Sequence, residues 1–194
     1  MPCFTTGTSI ETAEGDLPIE ELRPGMLIMT RDNGLQPLRW IGIRAMGGRA
    51  LLDNPHLRPV FVNKGAFGNG LPTQDTMISP NTRLPVARET GRFLGGISEQ
   101  MTAIKAMINH RGIQQIDSVG ICYVHIKFDG HQVIAANGFW SECFNPADHS
   151  ISPFGNSQRN EIFEIFPEIA ASQVRRDARK SAAKRVSHLH IRSL

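Results

Sequence analysis

The 194-residue sequence contains no long apolar run and only three cysteines. No stretch approaches the roughly 20 apolar residues that a membrane-spanning helix requires, and the first residues lack the apolar core of a secretory signal peptide. Cys3, Cys122 and Cys143 are odd in number and far apart, so they form neither a disulfide framework nor a Cys-x-x-Cys metal pair. We therefore expect a reduced, cytoplasmic protein without a transmembrane segment.

Acidic residues are scarce in one segment only, at residues 171–194. Seven arginines and lysines stand there against one aspartate, a charge of +6, whereas residues 1–170 hold 14 basic and 17 acidic residues, a charge of −3. The net charge of +3 thus belongs to the end of the chain, and the sequence as a whole does not favour a nucleic-acid binder. We expect residues 1–170 to form one domain and residues 171–194 to form a basic tail, helical or disordered, that could contact an anionic partner.

Glycine and proline are frequent, with 18 and 12 residues, and they separate short segments in which apolar and polar residues alternate. Short strands between turns predict a compact all-β domain. The Asp-Asn-Gly sequence at 32–34 predicts one hairpin turn. The clearest hairpin turns at the Asp-Gly pair of 129–130, after a strand over 121–128 that has Val124 on one face and His125 on the other.

Two segments carry helix patterns. Residues 98–110 place Met101 and Ile104 on a shared apolar face and end near a glycine, which predicts one helix. Residues 160–166 predict one or two further helical turns, ended by Pro167. We therefore expect one or two short helices beside the strands.

From Cys3 the chain reads CFTTGTSIETAEGDLPIEELRPGMLIMT, which resembles the opening block of Hint domains, the self-processing modules of hedgehog proteins and inteins. The later segment YVHIKFDGHQVIAANGFWSE is similar to the family's final blocks. The segments RDNGLQPLRWIG, GNGLP, MISPNTRLPV, FNP and FPEI are similar to the bacterial intein-like subgroup in particular. The resemblance covers residues 3–169 and implies an all-β, horseshoe-like fold, in agreement with the strands indicated by the alternation.

The resemblance implies a chemical role for Cys3. In Hint domains the first cysteine attacks the carbonyl carbon just before it and forms a thioester. The thiol must lose its proton, the oxyanion needs hydrogen-bond donors, and the leaving nitrogen must gain a proton. The family supplies much of this help from a Thr-x-x-His motif. The implied activity is a single-turnover autoproteolysis without a cofactor, in which the chain's own N-terminal flanking segment is the substrate and water or an external nucleophile completes the cleavage.

The motif departs from the family pattern at its histidine. It reads Ser-Pro-Asn-Thr at residues 79–82, so Ser79 can replace the family's threonine hydroxyl, whereas Thr82 stands in place of the histidine. A hydroxyl does not donate a proton near pH 7, unlike an imidazole. His131 aligns with a histidine of the family's final hairpin. The resemblance therefore implies Cys3, Ser79, Thr82 and His131 as the candidate site residues.

Other departures limit the expected reaction. The family's Gly-Asp in the first block is Gly-Met at 25–26, and its terminal His-Asn is replaced within residues 139–143, which read FWSEC. Without that asparagine, we expect N-terminal cleavage and no full splicing. Only Met1 and Pro2 precede Cys3, which suggests either a domain of a longer precursor or a domain without cargo.

Three of the four candidate residues also have a purely structural interpretation. Cys3 could be a small buried residue at the entrance of a strand, Ser79 a turn residue before a proline, and His131 a strand residue after a hairpin turn. No metal site is expected, because His125 and His131 supply only two of the three or four ligands that zinc needs, and Cys122 points to the opposite face.

Two functions therefore stay open. The first is the self-processing Hint domain, which Cys3 and the final hairpin favour. The second is a catalytically degenerate Hint scaffold that acts as a binding or interaction module, which Thr82 favours. In the second case the basic tail could contact an acidic protein, a nucleic acid or a membrane surface.

Removing the tail tests the domain boundary. Deletion of residues 171–194 should leave residues 1–170 folded and should abolish any affinity for anionic surfaces, since the body carries the opposite charge. Circular dichroism measures the first effect, and binding to anionic vesicles at low and high salt measures the second, because screening weakens the attraction. An unfolded or insoluble truncated protein would show that the tail belongs to the core.

Overall fold

The computed structural model describes residues 4–90, 96–143 and 156–168, and these form a mostly β structure with two α-helices and three short 3₁₀ helices. This confirms the predicted all-β fold with short helices. No helix within these ranges is long and apolar enough to span a membrane. The strands are β1 (Phe4–Thr5), β2 (Ser9–Thr12), β3 (Gly15–Pro18), β4 (Leu27–Thr30), β5 (Gly34–Pro37), β6 (Trp40–Gly47), β7 (Val60–Val62), β8 (Thr76–Ile78), β9 (Arg83–Thr90), β10 (Gly96–Ala103), β11 (Ile113–Gln115), β12 (Gly120–Lys127), β13 (Gln132–Ala136) and β14 (Phe139–Cys143); the helices are α1 (Gly48–Asp53) and α2 (Asn156–Ile165), and the 3₁₀ helices are Ile19–Glu21, Pro55–Leu57 and Ile104–Met107.

The strands form two larger sheets and one hairpin. The first sheet has the order β11-β7-β8-β1-β12-β6, and the second has the order β14-β13-β2-β4-β5, with β3 paired to β2. Strands β9 and β10 pair with each other. Strand β1 is only two residues long, yet it lies between β8 and β12 and pairs with both in antiparallel register. The beginning of the described chain is thus an interior strand of the first sheet.

The first sheet buries side chains on both of its faces. Val124 of β12 belongs to the larger apolar cluster, whereas its neighbour Tyr123 belongs to a smaller cluster that includes Leu51 of α1 and Phe166. Successive residues of a strand point to opposite faces, which explains this division. The predicted alternation along residues 121–128 is therefore confirmed, and the strand is buried on both sides.

One predicted helix is wrong. Within the predicted helix at 98–110, the first six residues belong to strand β10, which pairs with β9 over eight residues, and only Ile104–Met107 form a short 3₁₀ helix. The Arg83 side chain also donates to the Met101 carbonyl, at 3.0 Å. Helix propensity is a weak preference, and cross-strand pairing with a complementary partner overrides it here.

The other predicted helical segment is present, and the helix is longer than the one or two turns predicted. Helix α2 begins at Asn156, before the predicted residues 160–166, and ends at Ile165, two residues before Pro167. The predicted hairpin turn at 32–34 is also present, between β4 and β5, where Gly34 begins β5.

A single buried amide joins three parts of the fold. Asn137 lies in the turn between β13 and β14, with φ of 46°, and is 2% exposed. Its Oδ1 accepts from the Ser9 amide at 2.7 Å and from the Gln74 side chain at 3.1 Å. Its Nδ2 donates to the Thr76 hydroxyl at 2.7 Å. This side chain therefore ties β2 and the start of β8 to the final hairpin.

Replacement of Asn137 tests how much this junction stabilises the fold. Asn137→Ala should lower the free energy of unfolding by about 2–4 kcal/mol, because buried donors lose their acceptor and alanine disfavours positive φ. Asn137→Gly should cost about 1 kcal/mol less, since glycine tolerates that φ. Urea unfolding measures both values. Asn69→Ala is the matched control, because Asn69 has φ of 51° but is exposed. Equal losses at positions 69 and 137 would contradict the role of the buried hydrogen bonds.

Candidate active site

The register of β1 defines the neighbourhood of the candidate site. Phe4 is fully buried and pairs with Ile78 of β8 on one side and with Val124 of β12 on the other. The residues that follow these partners are Ser79 and His125. The implied chemistry requires Cys3 to lie within hydrogen-bond reach of residues 79–82 and of the hairpin at 129–137. Cys3 itself lies outside the described residues, so this stays a prediction.

The structure brings Ser79 and Thr82 together in one buried turn. Both residues are 0% exposed, and their hydroxyl oxygens lie 3.2 Å apart, so either hydroxyl can donate to the other. The Thr82 amide donates to the Ser79 carbonyl at 3.0 Å, which closes a four-residue turn with Pro80 at its second position. The Thr82 carbonyl accepts from the Ile104 amide at 2.8 Å. The turn is therefore fixed from both sides, and its two hydroxyls share one small buried space.

Helix α2 is bound to this turn by a polar contact that the sequence patterns do not predict. The Asn81 side chain donates to the Glu161 carboxylate, and both residues are buried. Glu161 lies on α2, within the segment whose apolar residues predict helical turns. Burial of a carboxylate without hydrogen-bond partners costs free energy, and the contact with Asn81 offsets part of that cost for Glu161. The turn at 79–82 thus also anchors the helix near the end of the described chain.

His125 lies on β12 of the first sheet. It follows Val124, as Ser79 of the turn follows Ile78, and both Val124 and Ile78 pair with Phe4. His125 is 0% exposed, and its ring centroid lies 5.9 Å from that of Trp40 and 6.2 Å from that of Phe166. Trp40 and Phe166 also contact each other edge to face, at 5.9 Å. The alternation along β12 predicts which face of the sheet His125 occupies. That its neighbour Val124 pairs with Phe4 is known only from the strand pairing of the structure.

His131 lies in a different polar cluster. Its Nε2 is 3.4 Å from the Glu142 Oε1, and the Arg83 Nη1 donates to the same oxygen at 3.5 Å. Glu142 is 3% exposed, so a buried carboxylate lies between two basic side chains. Arg83 directly follows Thr82 in the chain, so the cluster is connected to the motif turn through the backbone. The structure thus brings Ser79 and Thr82 together and joins His131 to Glu142.

The segment at the family's terminal His-Asn position is packed into the final hairpin. Ser141, Glu142 and Cys143 are all buried on β14. The Cys143 thiol donates to the Ile126 carbonyl, at 3.0 Å. Among the described residues, no group of three or more His, Cys, Asp or Glu side chains could hold a metal ion.

Comparison with known proteins gives a match to one family model and similarities to solved structures. A family model for the Hint domain matches residues 2–148. Comparison with curated protein sequences gives no significant match. The structure is similar to a DnaB intein from Synechocystis, with 9% identity over 75% of this chain and 100% of that chain and a TM-score of 0.48. It is similar to a bacterial intein-like domain from Clostridium thermocellum, with 10% identity over 74% and 99% and a TM-score of 0.41. It is also similar to the gp41-1 intein, with 9% identity over 73% and 98% and a TM-score of 0.42.

The family match extends over most of the chain and includes the first block, the motif turn and the final hairpin. It confirms the resemblance that the sequence segments indicate. The chain belongs to the Hint domain family.

Proposed function

We propose that this Hint domain cleaves the peptide bond between Pro2 and Cys3 through a thioester. The Cys3 Sγ bonds to the Pro2 carbonyl carbon, the bond from that carbon to the Cys3 nitrogen breaks, and the thiol proton ends on the nitrogen. Water or an external thiol then attacks the thioester carbonyl, which frees the preceding segment and regenerates the Cys3 thiol. The protein is both catalyst and substrate, and each molecule reacts once.

The observation that carries this proposal is the position of Phe4. One peptide bond joins Phe4 to Cys3, and consecutive Cα atoms lie about 3.8 Å apart. Phe4 pairs with Ile78 and Val124, and a residue before it in antiparallel register would face Ser79 and His125. Side chains that are directly opposite in neighbouring strands share one face of the sheet. The pairing of β1 with β8 and β12 therefore supports a position of residue 3 close to the buried side chains of Ser79 and His125.

The two hydroxyls of the motif turn suit the stabilisation of charge. Attack on a carbonyl carbon develops negative charge on its oxygen, and preorganised donors in a water-poor site stabilise it. Ser79 and Thr82 are buried, and their oxygens are 3.2 Å apart, so one can donate to the reacting oxygen while the other supports it. Neither hydroxyl replaces the proton transfer of the family's histidine.

We assign His131 a positioning role. Its contact with Glu142 and the Arg83 contact with the same carboxylate connect the final hairpin to the residue after Thr82. This bridge would hold the motif turn against β14. His131 aligns with a histidine in the final hairpin of the family pattern. A positioning role for His131 agrees with that alignment and requires no direct contact with the reacting atoms.

The proposed reaction stops after N-terminal cleavage. Splicing needs an asparagine that cyclises, and residues 139–143 contain none. Glu142 and Cys143, within the stretch that corresponds to the family's terminal His-Asn, are buried on β14. A thiol nucleophile also needs a reducing surrounding, which supports the cytoplasmic location favoured by the three separated cysteines.

The alternative is a Hint scaffold that has lost the reaction and serves as a binding module. Thr82, fully buried at the position of the family's histidine, is the observation that favours it. The two functions differ in one property, which is breakage of the peptide bond before Cys3.

Cleavage of a fusion protein separates these functions. A soluble reporter joined ahead of Met1 of the full chain should be released slowly in the presence of hydroxylamine, because loss of one proton-transfer group typically lowers a rate about 10²–10⁴-fold. Mass spectrometry should identify Pro2 as the new C-terminus of the reporter. Cys3→Ala should abolish release, since no thioester forms. Equal release from Cys3→Ala, or no release from the native fusion and from its Thr82→His variant, would contradict the proposed function.

Restoring the family's histidine should accelerate the reaction. Thr82→His in the same fusion is expected to raise the rate of reporter release by up to about 10²-fold, because an imidazole exchanges protons near pH 7. Thr82 is fully buried, so circular dichroism must first show that the larger ring is accommodated. Thr82→Gln is the matched control, since its amide is bulky and polar but transfers no proton. A gain in rate for glutamine equal to that for histidine would mean that size, not proton transfer, is responsible.

A further inference from the structure

We infer that His125 is the proton-transfer residue that this site retains, although Thr82 occupies the position of the family's histidine. This inference rests on the proposed function and names one residue of its machinery. Among the described histidines, His125 alone is fully buried. It also directly follows Val124, the partner of Phe4 on β12.

Strand register supports the contact. Phe4 pairs with Val124 and Thr5 pairs with Tyr123, so the antiparallel alignment of β1 and β12 is fixed at two successive residues. A third pair in the same register would join position 3 to His125. Residues directly opposite each other have Cβ atoms about 4.5–5.5 Å apart. An imidazole at that separation reaches both the thiol and the backbone nitrogen of the opposite residue.

The chemistry of the step needs what a neutral imidazole offers. Such a ring carries one nitrogen that accepts and one that donates a proton. The accepting nitrogen of His125 would take the proton from the Cys3 Sγ as the sulfur attacks the Pro2 carbonyl carbon. The imidazolium would then give a proton to the Cys3 nitrogen as the carbon–nitrogen bond breaks. The ring ends neutral, and the proton has moved from sulfur to nitrogen, so the step is balanced.

The surroundings of His125 hold the ring and keep water away. Trp40 and Phe166 lie next to it, with ring centroids at 5.9 and 6.2 Å. Phe166 directly follows helix α2, whose Glu161 accepts from Asn81 of the motif turn. The same helical segment therefore contacts both His125 and the motif turn. A catalytic group on a paired strand, enclosed by aromatic rings, is positioned more firmly than one on a loop.

The other described histidines are less suited to this role. His131 is joined to Glu142 in the final hairpin. His56 is exposed and contacts Glu164, and His110 is exposed with φ of 57°. The geometry thus distinguishes His125 from each alternative by burial and by register.

The test measures reporter release by hydroxylamine from the full-length fusion. His125→Gln should lower the rate by about 10²–10⁴-fold, because glutamine resembles the ring in size and polarity but exchanges no proton near neutral pH. His110→Asn is the matched control and should release at the native rate, since asparagine tolerates positive φ and the position is exposed. If His125→Gln releases at the native rate, or if only His131→Gln is slow, the inference is overturned.

A second readout separates proton transfer from a structural effect. His125→Gly should recover part of its rate when free imidazole is added, because the vacated space accepts the ring. Thr82→His combined with His125→Gln should also be faster than His125→Gln alone. The inference would be overturned if the proteins are folded, imidazole does not raise the rate of His125→Gly, and Thr82→His does not raise the rate of His125→Gln. Native fusion and Thr82→His fusion that both fail to release would instead overturn the proposed function.

Should His125→Gln fail to fold, nuclear magnetic resonance of the native side chain gives the answer. In a fusion labelled with ¹⁵N-histidine, the ring signals of His125 should shift when Cys3 is replaced by alanine. The ring signals of His56 and His110 should stay in place, because both residues are exposed elsewhere. Unchanged His125 signals would overturn the inference.

Discussion

The pairing of one short strand is the constraint on which this site depends. Strand β1 contains two residues, yet it is hydrogen-bonded between β8 and β12 and places the Phe4 side chain in the larger apolar cluster. Burial of a phenylalanine stabilises by about 1.5–3 kcal/mol, and the Thr5 hydroxyl adds a bond to the Met77 carbonyl at 2.9 Å. These contacts fix where the described chain begins. Under the proposed function, a peptide bond that precedes such an anchor would be held near the same two strands, which is what a reaction between adjacent residues requires.

The sequence predicts the fold well where local alternation and turn chemistry decide the structure. The strand over 121–128 and the turn at 32–34 are present, because buried faces and glycine at the required conformation leave few alternatives. The helix predicted at 98–110 is absent, because apolar spacing at Met101 and Ile104 also fits a strand that leads into a 3₁₀ turn. What decides between these structures is the partner strand β9, and local spacing carries no information about a partner.

The site shows the same division between local and long-range information. Ser79 and Thr82 can be predicted from a motif, because three residues of sequence separation close a turn and bring their hydroxyls together. The contact between Asn81 and Glu161 joins residues far apart in the chain and cannot be read from either segment. His125 is predicted to face away from Val124, but its relation to the end of β1 depends on the register between two distant strands. His131 has a family position, and only its contact with Glu142 indicates a supporting role.

The most direct measurement is a crystal structure of the Cys3→Ala variant that carries several residues ahead of Met1, so that the peptide bond before position 3 stays intact. We predict that the backbone nitrogen of residue 3 lies within about 2.6–3.2 Å of a ring nitrogen of His125, or is joined to it by one water, with the preceding carbonyl oxygen facing the hydroxyls of Ser79 and Thr82. A structure in which that peptide bond lies away from His125 and the motif turn would contradict the central claim, because the register of β1 would then not deliver the reacting bond to the groups proposed to act on it.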